Sequence, residues 1–268
     1  MLRDITLGQY MPGNSAVHRL DPRMKIILTI LYIAVIFCVK SPVWYVIPLG
    51  YVVLAVRVAG LQTRHMLKAI KPLRFLLILT FLLNLFFSTG TTVWLQLGIL
   101  KITREGFLTA LHFSMRLVFL VVGTSVLTLT TSPVALSDGI EMLLKPLKVI
   151  HFPAHELAMM MTIALRFIPT LIEETDKIMK AQMARGADFE SGNLLSRAKA
   201  MIPLLVPLFV SAFRRAGELA MAMEARCYHG GEGRTRLRVL RSTKLDGYAL
   251  LIPAATLLLT IGAGYLLP

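Results

Sequence analysis

The sequence is poor in charge, nearly free of cysteine and without any of the common catalytic signatures. Charged residues make up 16 % of the 268, against roughly 25 % in soluble globular domains. Hydrophobic residues make up 56 %, and mean hydropathy is +0.68. That balance excludes an ordinary soluble domain and points to the bilayer. Cys38, in an apolar run, and Cys227, in a basic stretch, make no disulfide framework. No G-x-x-x-x-G-K-[ST] occurs, so the chain has no P-loop of its own with which to hold ATP. H-E-x-x-H, G-x-S-x-G and EF-hand patterns are missing too. A signal peptide is not expected, because residues 1–25 carry Arg3, Asp4, Arg19, Asp21, Arg23 and Lys25 and no small-residue cleavage site follows the first apolar run.

Five uncharged stretches are present: Ile26–Val39, Ser41–Val56, Phe75–Leu100, Leu117–Ser137 and Gly247–Pro268. A spanning helix needs about 20 mostly apolar residues. The first two runs are shorter, and Lys25, Lys40 and Arg57 extend them by snorkelling to the interfaces. Lys40-Ser41-Pro42 reads as the turn between them. The third span is expected over Phe75–Thr89 with a connection around Gly90-Thr91-Thr92, and the fourth is expected to begin near Gly106.

Acidic residues are absent where orientation is decided. Arg57, Arg64, Lys68, Lys71 and Arg74 lie between the second and third runs without one Asp or Glu. By the positive-inside rule that loop is cytoplasmic. The N-terminus is then cytoplasmic and, after five spans, the C-terminus is outside. From Lys177 to Lys244 there are 13 Lys/Arg against 5 Asp/Glu, which again reads as a cytoplasmic surface. A nucleic-acid-binding domain of similar charge would not be embedded in apolar runs, so no nucleic-acid partner is expected.

Residues 131–246 read as long amphipathic helices rather than spans. Glu156–Gly186 sets Ile168, Leu171, Ile172, Ile178, Met179 and Met183 against Glu173, Glu174, Asp176, Lys177, Lys180 and Arg185. Phe209–Arg226 does the same, with Phe209, Phe213, Ala216, Ala220 and Met223 opposite Arg214, Arg215, Glu218 and Glu224. Two further spans with buried charges are the competing reading, since hydropathy at 157–172 and 201–213 is high. The expected architecture is an all-α membrane protein with about five transmembrane helices. It divides into a four-span N-terminal domain (1–130), a cytoplasmic or interfacial coupling domain (131–246) and a C-terminal helix (247–268).

Constellations that could carry chemistry are few. His151 and His155 have helical i, i+4 spacing, but Pro153 lies between them and no third ligand follows. Cys227 with His229 is no stronger, so no metal or cofactor is expected in this chain. His112 and Arg116 share a face of the fourth run. Ionisable groups within a span are candidates for a substrate or proton path. With no acidic partner in the run, an interfacial position in its outer half is the favoured reading.

The strongest feature is an internal repeat. Ala181-Gln182-Met183-Ala184-Arg185-Gly186 aligns with Ala222-Met223-Glu224-Ala225-Arg226-Cys227, forty-one residues later. Both follow helices interrupted by prolines, Pro169 in one and Pro203 and Pro207 in the other. Gly186 is a left-handed helix terminator, and Arg185 in the last turn suits the helix dipole. Small residues beside each Arg leave a guanidinium projecting from a thin helix end, suited to a partner's groove.

With these residues the sequence resembles the transmembrane T components of energy-coupling factor (ECF) transporters, the group that includes the cobalt-transport permease CbiQ. The resemblance rests on His18-Arg19-Leu20-Asp21-Pro22-Arg23-Met24-Lys25, on Leu165-Arg166-Phe167-Ile168-Pro169 and on the two Ala-Arg ends, the second with Cys227 in place of glycine. It implies a non-catalytic scaffold in a prokaryotic cell membrane. Two cytoplasmic ABC ATPases, which bind ATP and Mg, would receive Ala184, Arg185 and Gly186 in one groove and Ala225, Arg226 and Cys227 in the other. A small membrane S component would carry a vitamin or metal ion, and Pro169, Pro203 and Pro207 would serve as hinges of the coupling helices. The rival class is a self-contained permease or secondary transporter, with its own substrate site and a dependence on His112 or Arg116.

Overall fold

The computed structural model describes residues 10–88, 92–97, 100–189, 193–231 and 243–266. The chain forms two compact units, Gly8–Ile140 with Val239–Pro268 in one and Glu141–Arg238 in the other.

The first unit is a helical bundle whose local signals sit at its helix ends. The Ser15 hydroxyl caps α1 (Ala16–Arg19), accepting from the His18 N–H. Asp21 caps α2 (Pro22–Cys38), with Pro22 at its first position, where a missing N–H costs nothing. Burial pushes the Asp21 carboxyl up, but the Arg23 hydrogen bonds and charge pull it down further, leaving it below the ordinary carboxylate value. A 3-10 turn at Pro42–Tyr45 leads into α3 (Val46–Ala59), which ends on Gly60 at φ +68°. Next come α4 (Thr63–Ile70) and, through a 3-10 turn at Pro72, α5 (Arg74–Phe87). An antiparallel hairpin of β1 (Val93–Leu97) and β2 (Leu100–Thr103) precedes α6 (Arg104–Thr130), whose cap is the Thr103 hydroxyl. After α7 (Pro133–Leu144), the C-terminal α10 (Lys244–Leu266) packs on α2 and α3.

Tyr32, Ile36, Val39, Tyr45, Val52, Val56, Met66, Phe119 and Leu129 form the core of this unit. Tyr32 packs against α6, donates to the Phe119 carbonyl at 2.9 Å and occupies the space opposite Gly123. A Cβ there would sit 1.9 Å from the Tyr32 ring, so only glycine allows the approach. The polar end of the bundle is a closed junction. Lys25, 5 % exposed, donates to the Thr130 carbonyl at 2.9 Å and the His18 carbonyl at 3.2 Å. Asp246, 2 % exposed, accepts from the Asp21 N–H at 3.0 Å and from Thr243 through its N–H and hydroxyl. The His18–Lys25 segment thereby joins α2, the end of α6 and the start of α10.

The second unit is dominated by α8 (Ala154–Ala184) and α9 (Leu194–Glu224), 31 residues each. Among the described residues of the pair only Ala154, Ala158 and Leu204 are buried, a sharp contrast with the bundle.

Six helices among the described residues are long and apolar enough to cross a membrane: Pro42–Ala59, Thr63–Phe87, Arg104–Thr130, Ala154–Ala184, Lys199–Glu224 and Leu245–Gly262. The sequence led to about five, and the difference has a local cause. The charges of α8 and α9 crowd toward their C-terminal halves, leaving apolar windows long enough to span before them. Conversely, α2 is only 17 residues long. The third helix also begins earlier than expected, because Thr63–Phe87 is continuous through Pro72. Gly90 and Thr91 of the expected connection, and the basic residues Arg234, Arg236, Arg238 and Arg241, lie outside the described residues.

Candidate partner-docking helix ends

The two Ala-x-x-Ala-Arg segments finish α8 and α9 with the same backbone hydrogen bonds. At the first, the Gly186 N–H donates to the Met183 carbonyl and the Ala187 N–H to the Gln182 carbonyl, each at 3.0 Å. At the second, Cys227 donates to Glu224 at 2.8 Å and Tyr228 to Met223 at 3.0 Å. These are Schellman motifs in identical register, forty-one residues apart. Gly186 has φ +90° and Cys227 has φ +53°, so the cysteine takes the left-handed conformation that the glycine takes in the first copy. The missing glycine therefore does not remove the cap. It makes the cap costlier, by about 1 kcal/mol for an L-residue held left-handed.

Ala184, Arg185 and Gly186 are exposed, and so are Ala225, Arg226 and Cys227. Among the described residues neither guanidinium has an ion-pair partner. Met183 beside the first and Met221 near the second are also exposed, at 48 % and 63 %. Each end is therefore an unpaired cation with an adaptable apolar flank.

The helices meet at positions that the same offset relates. Glu174 of α8 accepts from the Arg215 guanidinium at 2.8 Å and from the Ser211 hydroxyl, while Arg215 stands 5.9 Å from the Phe167 ring centre. Glu174 precedes Arg185 by eleven residues, and Arg215 precedes Arg226 by eleven. At 1.5 Å per residue, each arm from crossing to tip is about 16 Å long. The prolines lie inside uninterrupted helix. Each lacks the N–H that would bond four residues back, which frees the carbonyls of Leu165, Lys199 and Pro203.

A family model described as "Cobalt transport protein" (CbiQ) matches residues 13–237. The chain belongs to this CbiQ/EcfT family of ECF-transporter transmembrane components. An "Energy-coupling factor transporter transmembrane protein EcfT" from Thermosediminibacter oceani is 54 % identical over 262 residues, covering 98 % of this chain and 97 % of its own length. Proteins of the same description from Acidaminococcus fermentans (54 % identical over 259 residues, 97 % and 96 % covered) and Brevibacillus brevis (49 % over 262 residues, 98 % of each) extend the likeness across nearly the whole chain.

Within this CbiQ/EcfT chain, the sequence reading missed two sets of residues. The Glu174–Ser211–Arg215 crossing was marked by the 41-residue offset, which extends upstream of the repeated motif. The other set centres on His155, whose Nδ1 lies 3.0 Å from Glu141 and whose Nε2 lies 3.4 Å from the Tyr228 hydroxyl. Gly231 packs so close to the imidazole that a Cβ would come within 2.4 Å of it. His155 therefore holds the segment just past Arg226, a contact across 73 residues that no spacing announced. His151, its i, i+4 neighbour, caps a 3-10 turn in a left-handed conformation (φ +59°) and is exposed.

Proposed function

We propose that this T component is the energy-coupling scaffold of an ECF-type ABC importer. Two cytoplasmic ABC ATPases dock on its helix ends, one over Ala184, Arg185 and Gly186 and the other over Ala225, Arg226 and Cys227. The observation that carries this reading is the pair of matched ends: the same cap, the same unpaired Arg and equal arms from one shared crossing. Two like sites on one chain suit two like partners. An Arg gripped in a groove transmits force better than Lys, because its planar fork donates to two carboxylate oxygens at once.

The ATPases, with their ATP and Mg, do the chemistry, and this chain is the non-catalytic subunit. When the ATPase pair closes, the tips move together, and the crossing at Glu174–Arg215 converts that motion into a change of angle between α8 and α9. Pro169, Pro203 and Pro207 supply the compliance, since each leaves one backbone bond unmade. The exposed methionines and phenylalanines of the pair, among them Met160, Met161, Phe209 and Phe213, form an adaptable apolar face for a small membrane S component carrying a vitamin or metal ion. The chain is placed in the prokaryotic cell membrane with its N-terminus cytoplasmic and its C-terminus outside. Counting α8 and α9 as two further crossings leaves that parity unchanged.

The double variant Arg185→Glu, Arg226→Glu is expected to insert into membranes normally and to lose ATPase co-purification and ATP-dependent uptake at least a hundredfold. Retention of both would overturn the assignment of these residues.

A further inference from the structure

Inside the bundle lies a polar cluster that the coupling role does not use. Tyr45, 1 % exposed, packs with its ring 5.3 Å from that of His112 and stacked at 5.3 Å on Phe119. Arg116, one turn beyond His112, donates through Nη2 to His112 Nε2 at 2.9 Å and approaches the Val39 carbonyl at 3.4 Å. Its guanidinium carbon lies 5.4 Å from the ring centres of both Phe37 and Phe113. Three polar atoms of this group are shielded from solvent and have no hydrogen-bond partner: Tyr45 Oη, His112 Nδ1 and Arg116 Nε.

The hydrogen-bond chemistry identifies what is missing. Arg can only donate, so His112 Nε2 accepts from it. The proton of the neutral imidazole then resides on Nδ1, making that atom a donor. Arg116 Nε–H is a donor, and the Tyr45 hydroxyl can donate as well. Three unsatisfied donors call for an acceptor. Charge narrows the choice further. Arg116 lies in the 27-residue Arg104–Thr130 helix with no carboxylate partner among the described residues. The Phe37 and Phe113 rings attract the cation but supply no counter-charge, and a cation without one is costly within a span. A neutral water would satisfy donors and leave the charge uncompensated. We infer that Tyr45, His112 and Arg116 bind an anion beneath the α2–α3 turn, either a free inorganic ion or the anionic oxygen of a lipid headgroup. The bound anion ties that turn to α6.

The test uses the full chain in phosphatidylcholine nanodiscs, with melting temperature as the readout. In one arm chloride replaces gluconate at constant ionic strength. In the other, phosphatidylglycerol is mixed into the disc with gluconate throughout. The wild type is expected to melt several degrees higher in at least one arm, in a saturable manner. A shift with chloride assigns the free ion; a shift with phosphatidylglycerol alone assigns the headgroup. Arg116→Gln removes the charge, and Tyr45→Phe removes one donor while keeping the ring stack, so the second variant serves if the first does not fold. Each is expected to weaken the apparent affinity about tenfold or more, the scale of a lost hydrogen bond to a charged group. No anion-dependent shift in the wild type, or an equal shift in both variants, overturns the proposal.

Discussion

Gly186 and Cys227 occupy the same place in two copies of one helix ending, and the backbone treats them alike although the side chains differ. Both residues are left-handed, and both caps close with the same pair of bonds. What differs is the surroundings. The Gly186 end has open space around it. The Cys227 end continues into Tyr228, which reaches His155, and into Gly231, which packs on the same ring. The first end relies on glycine's freedom, and the second substitutes a tertiary anchor for it. A strained cap persists where the neighbourhood over-determines it.

The largest effect is expected from a change that acts on both helix ends together. Glu174→Arg would set two cations against each other at the crossing and leave Arg215 without its carboxylate. Uptake is expected to fall about tenfold or more, with both ATPase sites affected, because the arms share that one point. Combining it with Arg215→Glu restores an opposite-charge pair and should return uptake to within a few-fold of wild type. The readout is ATP-dependent uptake in proteoliposomes. A swap that stays as impaired as the single variant would show that the crossing acts through packing alone. The pair is a third exposed on the Arg side and a quarter on the Glu side, so its stability contribution is about 1 kcal/mol or less.

A smaller effect separates the ends. Gly186→Ala forces a Cβ into φ +90° and is expected to cost about 1–2 kcal/mol at the first cap. Cys227→Gly relieves the opposite strain and should stabilise the second cap by about 1 kcal/mol. Amide hydrogen exchange reports both changes where they occur: at Ala187, whose N–H should exchange faster, and at Tyr228, whose N–H should exchange more slowly. Equal responses at the two ends would mean that the His155 anchor carries no weight.

How much of this was legible in the sequence follows from the range of each interaction. The helix ends were legible because a cap is local: the short Ala-x-x-Ala-Arg repeat announces both, and a glycine the first. The His18–Lys25 segment was recognisable as a pattern, yet its purpose was hidden, since Lys25 finds Thr130 105 residues away and Asp21 finds Asp246 225 residues away. The anchoring role of Asp246 had no sequence signal at all. The spanning capacity of α8 and α9 was obscured by clustered charge, which makes a helix look amphipathic even when half its length is apolar. His112 and Arg116 were legible as a pair from their helical spacing, but the packing of that pair under Tyr45 was not. Only the packing of the α2–α3 turn could reveal that.

The gentlest test concerns the anchor itself. Tyr228→Phe deletes one hydroxyl whose bond to His155 is long, at 3.4 Å, so the expected loss is about 0.5 kcal/mol. That loss should be confined to the second end. Exchange at Tyr228's own amide should quicken about twofold while exchange at Ala187 stays as it was. The effect should grow in His155→Ala, which also removes the contact with Glu141 and empties the space against which Gly231 packs. It should shrink when Cys227→Gly is added, because a relaxed cap needs less support. If Tyr228→Phe and Cys227→Gly instead act additively, cap and anchor are independent, and the second end is held by its backbone bonds alone.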